Sequence, residues 1–236
     1  MSDTLTFTID GKECTARPGQ NIVDAAKENG VYIPILCHFE GLTPAGTCRI
    51  CTVKVNGKCM AACTTEVAEG MAVENETPEI NDMRKVILEM LLVEGNHFCP
   101  ACEKSGDCEL QAMAYRYKIM APRFKFTFKP RKLDASNSKL ILERNRCIFC
   151  KRCIRGVLTE DGKHVFAFTK RGSEIDINID KELAAKITDE MAQEAMDMCP
   201  VGSIIRKEQG FAKPIGARKY DSKPIGSDVE SKAVNK

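Results

Sequence analysis

Eleven of the thirteen cysteines in this 236-residue chain fall into three groups whose spacing suits metal binding. The first comprises Cys37, Cys48, Cys51 and Cys63, with ten, two and eleven residues between successive members. Cys48-Arg-Ile-Cys51 puts two sulfurs on one tight loop, and Gly41 and Gly46 let backbone amides approach. Those amides matter because four thiolates around iron and sulfide form an anionic centre that needs N–H donors in place of water. A structural zinc is the other reading of these four thiols, since it too takes a paired Cys-x2-Cys and two more. The second group is Cys99, Cys102 and Cys108, three thiolates where a cubane cluster needs four ligands. His97, two residues before Cys99, is the nearby candidate for the fourth. A neutral imidazole in place of a thiolate removes one negative charge and makes such a centre easier to reduce. The third group is Cys147, Cys150 and Cys153, joined from afar by Cys199 of Cys199-Pro200. Two successive Cys-x2-Cys steps wrap three sulfurs around one cubane corner, which zinc rarely requires, so this group predicts [4Fe–4S].

Cys14 and Cys59 are left over; both fall in strand-like segments and read as buried small hydrophobes. The odd cysteine count leaves a complete disulfide pairing one short. The first ten residues lack the basic-then-apolar pattern of a secretory leader. Metal ligation in a reducing, cytoplasmic setting is therefore expected rather than disulfides. No run approaches the roughly 18 apolar residues of a membrane span; the best, Val86 to Val93, is short and contains Glu89. With 35 basic against 33 acidic residues, no whole-chain field favours nucleic acid or a membrane surface.

The elements that must position these groups follow from periodicity. Residues 4–9 alternate as a strand and Asp10-Gly11 reads as a hairpin turn. A short helix is expected over Asn21–Asn29, with Gly30 as its stop. Thr52–Val55, Asn56-Gly57 and Lys58–Ala62 form a second hairpin. Glu79–Glu94 reads as a helix whose apolar face is Ile80, Met83, Val86, Ile87, Met90 and Leu91. A second helix is expected over Cys108–Ile119. Residues 121–135 form a linker, and a further unit spans 136–210. From Phe211 to Lys236 the chain reads as an arm, rich in Pro, Gly and basic residues, in which Lys-Pro-Ile-Gly occurs at 213–216 and again at 223–226. Such an arm either docks on a partner or is a free tail.

The first group lies where a plant-type [2Fe–2S] ferredoxin carries its ligands, yet its ten-residue gap departs from that type. The third resembles a two-cluster bacterial ferredoxin that has kept one cluster, because Val157, Asp189, Ala192 and Ala195 stand where the second set of cysteines would be. The order of the three groups resembles the N-terminal part of the large iron–sulfur subunit of complex I over residues 1 to about 210. It is more similar to the small diaphorase (gamma) subunits of soluble NAD(P)-reducing [NiFe] hydrogenases. Cys48-Arg-Ile-Cys51, the Glu94-Gly-Asn-His97 run into Cys99, Cys108-Glu-Leu-Gln111 and Arg146-Cys-Ile-Phe-Cys-Lys-Arg-Cys153 carry the likeness. Complex I places histidine four residues before the first cysteine of the middle group, where this chain has Gly95.

The resemblance implies an α+β chain: a β-grasp [2Fe–2S] domain (1–78), a helical His/Cys3 [4Fe–4S] segment (79–120) and a [4Fe–4S] ferredoxin-like domain (136–210). It implies a relay between a flavin/NAD(P)H-binding diaphorase subunit and the small and large subunits of a [NiFe] hydrogenase. The same relay would serve a formate dehydrogenase, a complex I-like assembly or an electron-bifurcating one. No two of the 16 glycines are two apart, so there is no Gly-x-Gly dinucleotide loop, and no residue is placed for catalysis or for binding NAD or flavin. A zinc-stabilised nucleic-acid binder would draw on Arg123-Phe-Lys-Phe-Thr-Phe-Lys129. We read that segment instead as extended chain with phenylalanines packed inside and lysines solvated. Arg146, Lys151, Arg152 and Arg155 flank the third group and are each read as solvated surface, with charge compensation as the alternative.

Overall fold

The alternation of Leu5, Phe7 and Ile9 becomes β1 (Leu5–Ile9), which turns through Asp10-Gly11 into β2 (Lys12–Ala16). This is a computed structural model and it describes residues 4–234. The leader reading rests in part on residues 1–3, and the arm includes 235 and 236; these positions lie outside the described residues. Asn21 caps α1 (Ile22–Glu28) by accepting from the Asp24 N–H. Then come β3 (Thr52–Val55), β4 (Lys58–Ala61) and β5 (Ala72–Glu74). The sheet order is β2-β1-β5-β3-β4, with β1 parallel to β5 and the other pairs antiparallel. Phe7, Ile9, Cys14, Val53 and Val73 meet Ile22 and Ala25 of α1 in a closed core.

Thr77 caps α2 (Pro78–Val93), with proline at its first position, where no N–H is needed. Its buried residues are Ile80, Arg84, Leu88, Glu89 and Val93; of the face expected from apolar spacing, Ile80 is buried and Ile87 and Leu91 pack against the core, Met83 and Val86 are half-buried, and Met90 is exposed. Arg84 shares this inward side because its guanidinium finds carbonyl acceptors at Asn75 and Thr52. α3 (Glu109–Arg116) is shorter than expected, because Lys118 takes a left-handed φ of 56° just beyond it.

The third unit contains β6 (Leu140–Leu142), α4 (Arg152–Gly156), β7 (Phe166–Thr169), β8 (Asp176–Ile179), α5 (Lys181–Ala184), α6 (Asp189–Met198) and β9 (Ile204–Arg206). β6 pairs with β9 and β7 with β8, both antiparallel. Val157, Ala192 and Ala195, where a second ferredoxin cluster would have its cysteines, are buried in the core. A continuous apolar core joins Tyr32 and Leu36 to Leu88, Met113, Leu140, Val165, Ile225 and Val229, so all the units are packed together.

Three expectations are corrected. Phe124 and Phe126 are exposed and Phe128 is only half-buried, so the rings of the linker are not packed inside. Its cations make the contacts instead: Arg123 pairs with Glu89 and Asp82, and Lys129 with Glu174. Cys14 is buried, but Cys59 is exposed, because it points outward from β4 at the sheet edge. The arm is neither a free tail nor wholly given to a partner. It folds back on its own chain and ends in α7 (Ser227–Val234), with Ile225 and Val229 in the shared core.

Candidate metal centres

The first ligand set is assembled by the β3–β4 hairpin. Thr52 faces Ala61 in register, which puts Cys51, just before β3, beside Cys63, just after β4. The Ala62 N–H donates to Cys51 O at 3.2 Å. Cys37 and Cys48 come from the preceding loop, which approaches the hairpin end so closely that a Cβ on Gly46 would lie 3.0 Å from Thr64 Cγ2. The thiols of Cys48 and Cys63 hydrogen-bond to Cys37 and hold its pKa far down, and Cys63 does the same for Cys51. The backbone N–H of Cys48 also serves the Cys37 sulfur, and that of Ile50 the Cys48 sulfur. Four sulfurs joined in this way, with amide donors aimed at them, fit an anionic iron–sulfide group.

The second set lies between α2 and α3. Cys99 opens a one-turn helix (Cys99–Ala101), and Cys108 caps α3, its sulfur accepting from the Gln111 N–H at 3.4 Å. Burial pushes the Cys108 thiol up to about 12. Burial also raises Cys99, as does the neighbouring Cys102, whereas Arg146 lowers both of these thiols. His97 Nε2 sits 3.1 Å from Leu91 O. A carbonyl only accepts, so Nε2 carries the proton and Nδ1 keeps its lone pair. Burial drives the imidazole pKa down to about 4, which leaves the ring neutral, the form in which histidine binds metal. A Cβ on Gly95 would lie 2.5 Å from His97 Nε2. The imidazole thus occupies the space that a side chain at position 95 would enter. Replacing His97 by alanine should alter the low-temperature magnetic spectrum of one [4Fe–4S] centre only; an unchanged spectrum rejects His97 as its ligand.

In the third set, left-handed Phe149 and Lys151 curl the chain from Cys147 into α4, whose first turn carries Cys153, and Cys199 arrives at the end of α6. Cys147, Cys150, Cys153 and Cys199 line a single cavity together with Ile148, Phe168 and Ile177. Among the described residues, no three His, Cys, Asp or Glu side chains close on the point a single metal ion would occupy. Burial raises Cys147 to about 12 and Cys153 well above its usual value, and the Cys199 charge adds to both.

The last set in sequence is the middle one in space. Arg155, two residues beyond Cys153, donates to Cys37 O at 2.6 Å and to Thr43 O. On the other side, a Cβ on Gly202 would lie 2.4 Å from Cys102 Sγ, and the Glu109 N–H donates to Pro200 O at 2.8 Å. Arg152 forks onto Glu109, both contacts 2.8 Å, and Arg146 pairs with Glu103 at 2.9 Å. Of the four cations expected at the surface only Lys151 is exposed; Arg152 is fully buried and the other two are partly buried. Sequence reasoning also missed Glu109 and Arg84; their signal was a charge placed on an otherwise apolar helix face.

Comparison with known proteins agrees with this architecture. Residues 2–78 match the 2Fe-2S iron-sulfur cluster binding domain. Residues 84–123 match the NADH-ubiquinone oxidoreductase-G iron-sulfur binding region, and 138–205 the ferredoxin-like domain of NADH-quinone oxidoreductase subunit 3. Fold and sites together define an iron–sulfur protein of the NADH-oxidoreductase type. The NAD-reducing hydrogenase HoxS subunit gamma of Cupriavidus necator is 47% identical over 94% of this chain and 95% of its own. The chain belongs to the family of these gamma subunits. A chain in a crystal structure of NAD+-reducing [NiFe]-hydrogenase in the H2-reduced state superposes with a TM-score of 0.87 at 38% identity, covering 94% of this chain and 95% of that one. The mitochondrial NADH-ubiquinone oxidoreductase 78 kDa subunit of Candida albicans is 34% identical over 89% of this chain, which spans 30% of that protein's length.

Proposed function

We propose that this chain is the electron-transfer subunit of an NAD(P)-linked [NiFe] hydrogenase, working between a flavin/NAD(P)H-binding diaphorase subunit and the hydrogenase small and large subunits. The observation that carries the reading is three ligand sets packed in series, within a chain that matches a hydrogenase gamma subunit along nearly its whole length. Cys37, Cys48, Cys51 and Cys63 hold a [2Fe–2S] cluster within residues 1–78. His97, Cys99, Cys102 and Cys108 hold a [4Fe–4S] cluster within 79–120. Cys147, Cys150, Cys153 and Cys199 hold another within 136–210, beyond the 121–135 linker. Bound there, the clusters accept and release single electrons.

The protein's own part is to bury, space and electrostatically poise those groups. The bonds of Arg155, Arg152 and Arg146 across the set boundaries fix the order first, third, second. Nicotinamide and flavin belong to the partner subunit, and the chain itself carries no catalytic residue. Among the described residues no helix is long and apolar enough to cross a membrane, and the proposed setting is the cytoplasm.

Metal and acid-labile sulfide analysis of the anaerobically purified chain tests the cofactors. We expect about ten iron and as many sulfide per chain; zinc without sulfide would refute the cluster assignment. Mass spectrometry of the subunits purified with it tests the partners, and a molybdenum- or tungsten-containing dehydrogenase in place of hydrogenase subunits would move the relay to formate.

A further inference from the structure

Lys-Pro-Ile-Gly occurs at 213–216 and at 223–226, and neither copy contains a proposed ligand. Both copies fold into the same turn. The Ala217 N–H donates to Pro214 O at 3.1 Å and the Ser227 N–H to Pro224 O at 3.2 Å, while Gly216 and Gly226 take φ of 98° and 94°. A positive φ at the third position suits glycine and leaves the isoleucine at the tip of the turn.

The copies differ in what covers that tip. Ile225 is buried in the shared core and lies with Ala112, Tyr115, Arg116 and Tyr220. A Cβ on Gly226 would lie 2.5 Å from the Tyr32 ring. Arg116 stands 4.6 Å over that same ring and donates to Ile225 O at 2.8 Å. An aromatic face, a guanidinium and an apolar wall thus form the receptor for this turn. Ile215, in contrast, is 85% exposed, and nothing lies within 4 Å of a Cβ on Gly216.

The first turn is held firmly all the same. The Gly216 and Arg218 N–H groups both donate to the Asp221 carboxylate, at 2.7 and 3.0 Å, and Arg218 Nη1 reaches Ser105 O at 3.2 Å. Nearby Phe211 is 63% exposed with a left-handed φ of 59°, a conformation unfavourable for a bulky residue. Phe211 and Ile215 line a cleft of about 810 Å³ together with Pro100, Glu103 and Cys199, so an occupant would sit beside two ligand sets.

We propose that the Phe211–Gly216 turn docks a partner subunit of the electron-transfer complex. The partner receives Ile215 on an aromatic face flanked by an arginine, as Tyr32 and Arg116 receive Ile225. This rests on the preceding reading that the chain works in a multisubunit assembly, though not on which redox enzyme completes it. A second copy of this chain offers no free receptor, because its Tyr32–Arg116 site already holds its own Ile225.

The test uses the complex purified with its partner subunits, diluted in steps and resolved by mass photometry. Ile215→Asp should weaken retention of one identified subunit at least tenfold, and Ile215→Ala should weaken it less, with the visible cluster absorption unchanged in both. Equal retention by wild type and both variants overturns the proposal. If Ile215→Asp loses its cluster absorption, the outcome rests on Ile215→Ala, which only trims an exposed side chain: weakened retention supports docking and wild-type retention overturns it. A wild-type chain that purifies without partners overturns the docking role, while the metal and sulfide content still tests the relay reading by itself.

Discussion

Replacing Arg152 by methionine should lower the reduction potentials of both proposed [4Fe–4S] centres in a redox titration followed by paramagnetic resonance. The Arg152 side chain is 1% exposed and forks onto Glu109. One residue adjoins Cys153 and the other Cys108, so the pair lies between the two ligand sets. Reduction adds negative charge to a cluster, and a buried cation nearby stabilises that state. At an effective dielectric of about 20 and a separation of about 10 Å, one charge contributes on the order of 1.5 kcal/mol, or about 60 mV for a one-electron couple. Glu109→Gln removes the opposing charge and should shift the potentials upward by a similar amount. The double variant should return close to the wild-type values, because the pair is then lost without leaving a net charge. Potentials that stay put in both single variants would remove the pair from any tuning role. Stability behaves differently: either single change leaves a desolvated charge unpaired, at a cost of about 3–5 kcal/mol.

Arg84→Met should lower the unfolding temperature by about 10 °C or more, with little change in cluster spectra below the transition. Arg84 is fully buried. Its Nη1 donates to Asn75 O at 3.0 Å, and its Nη2 to Asn75 Oδ1 at 2.6 Å and Thr52 O at 3.1 Å. Tyr117 Oη lies 3.4 Å away and Glu76 3.7 Å away. One side chain on α2 thus ties together the end of β5, the start of β3 and the end of α3. Methionine fills the space and abandons three buried acceptors, each worth about 1–3 kcal/mol. For a chain of this size each kcal/mol moves the transition by about 2–4 °C. Arg84→Lys should recover little, since an ammonium cannot supply a planar fork to acceptors in several directions. A transition within about 2 °C of wild type would show that the network is dispensable.

The candidate ligand sets could be proposed from the sequence because cluster ligation is largely local. Cys147, Cys150 and Cys153 must share one loop whatever surrounds them, and the hairpin that pairs Cys51 with Cys63 is announced by Asn56-Gly57. The place of Arg84 on the buried side of α2 was missed for the opposite reason. An arginine counts as surface until carbonyls from distant segments are brought to it, and Thr52 and Asn75 come to Arg84 only in the folded chain. The linker was misread likewise: alternation of Phe with Lys predicts a half-buried strand only if a layer exists to cover the rings, and none covers Phe124 and Phe126.

Thiolate number and spacing are properties of short segments, so the residue order alone was enough to pick out the candidate ligands and the kind of centre each set suits. Their arrangement in space came from packing. The set last in sequence lies between the other two because Arg155 reaches back to Cys37 O while Gly202 lies against Cys102. Packing also settled the fate of the repeated turn: identical residues make the same local bend at 213–216 and 223–226, yet only the second meets Tyr32 and Arg116. Local residues set a conformation, whereas burial depends on which surface the rest of the chain brings to it.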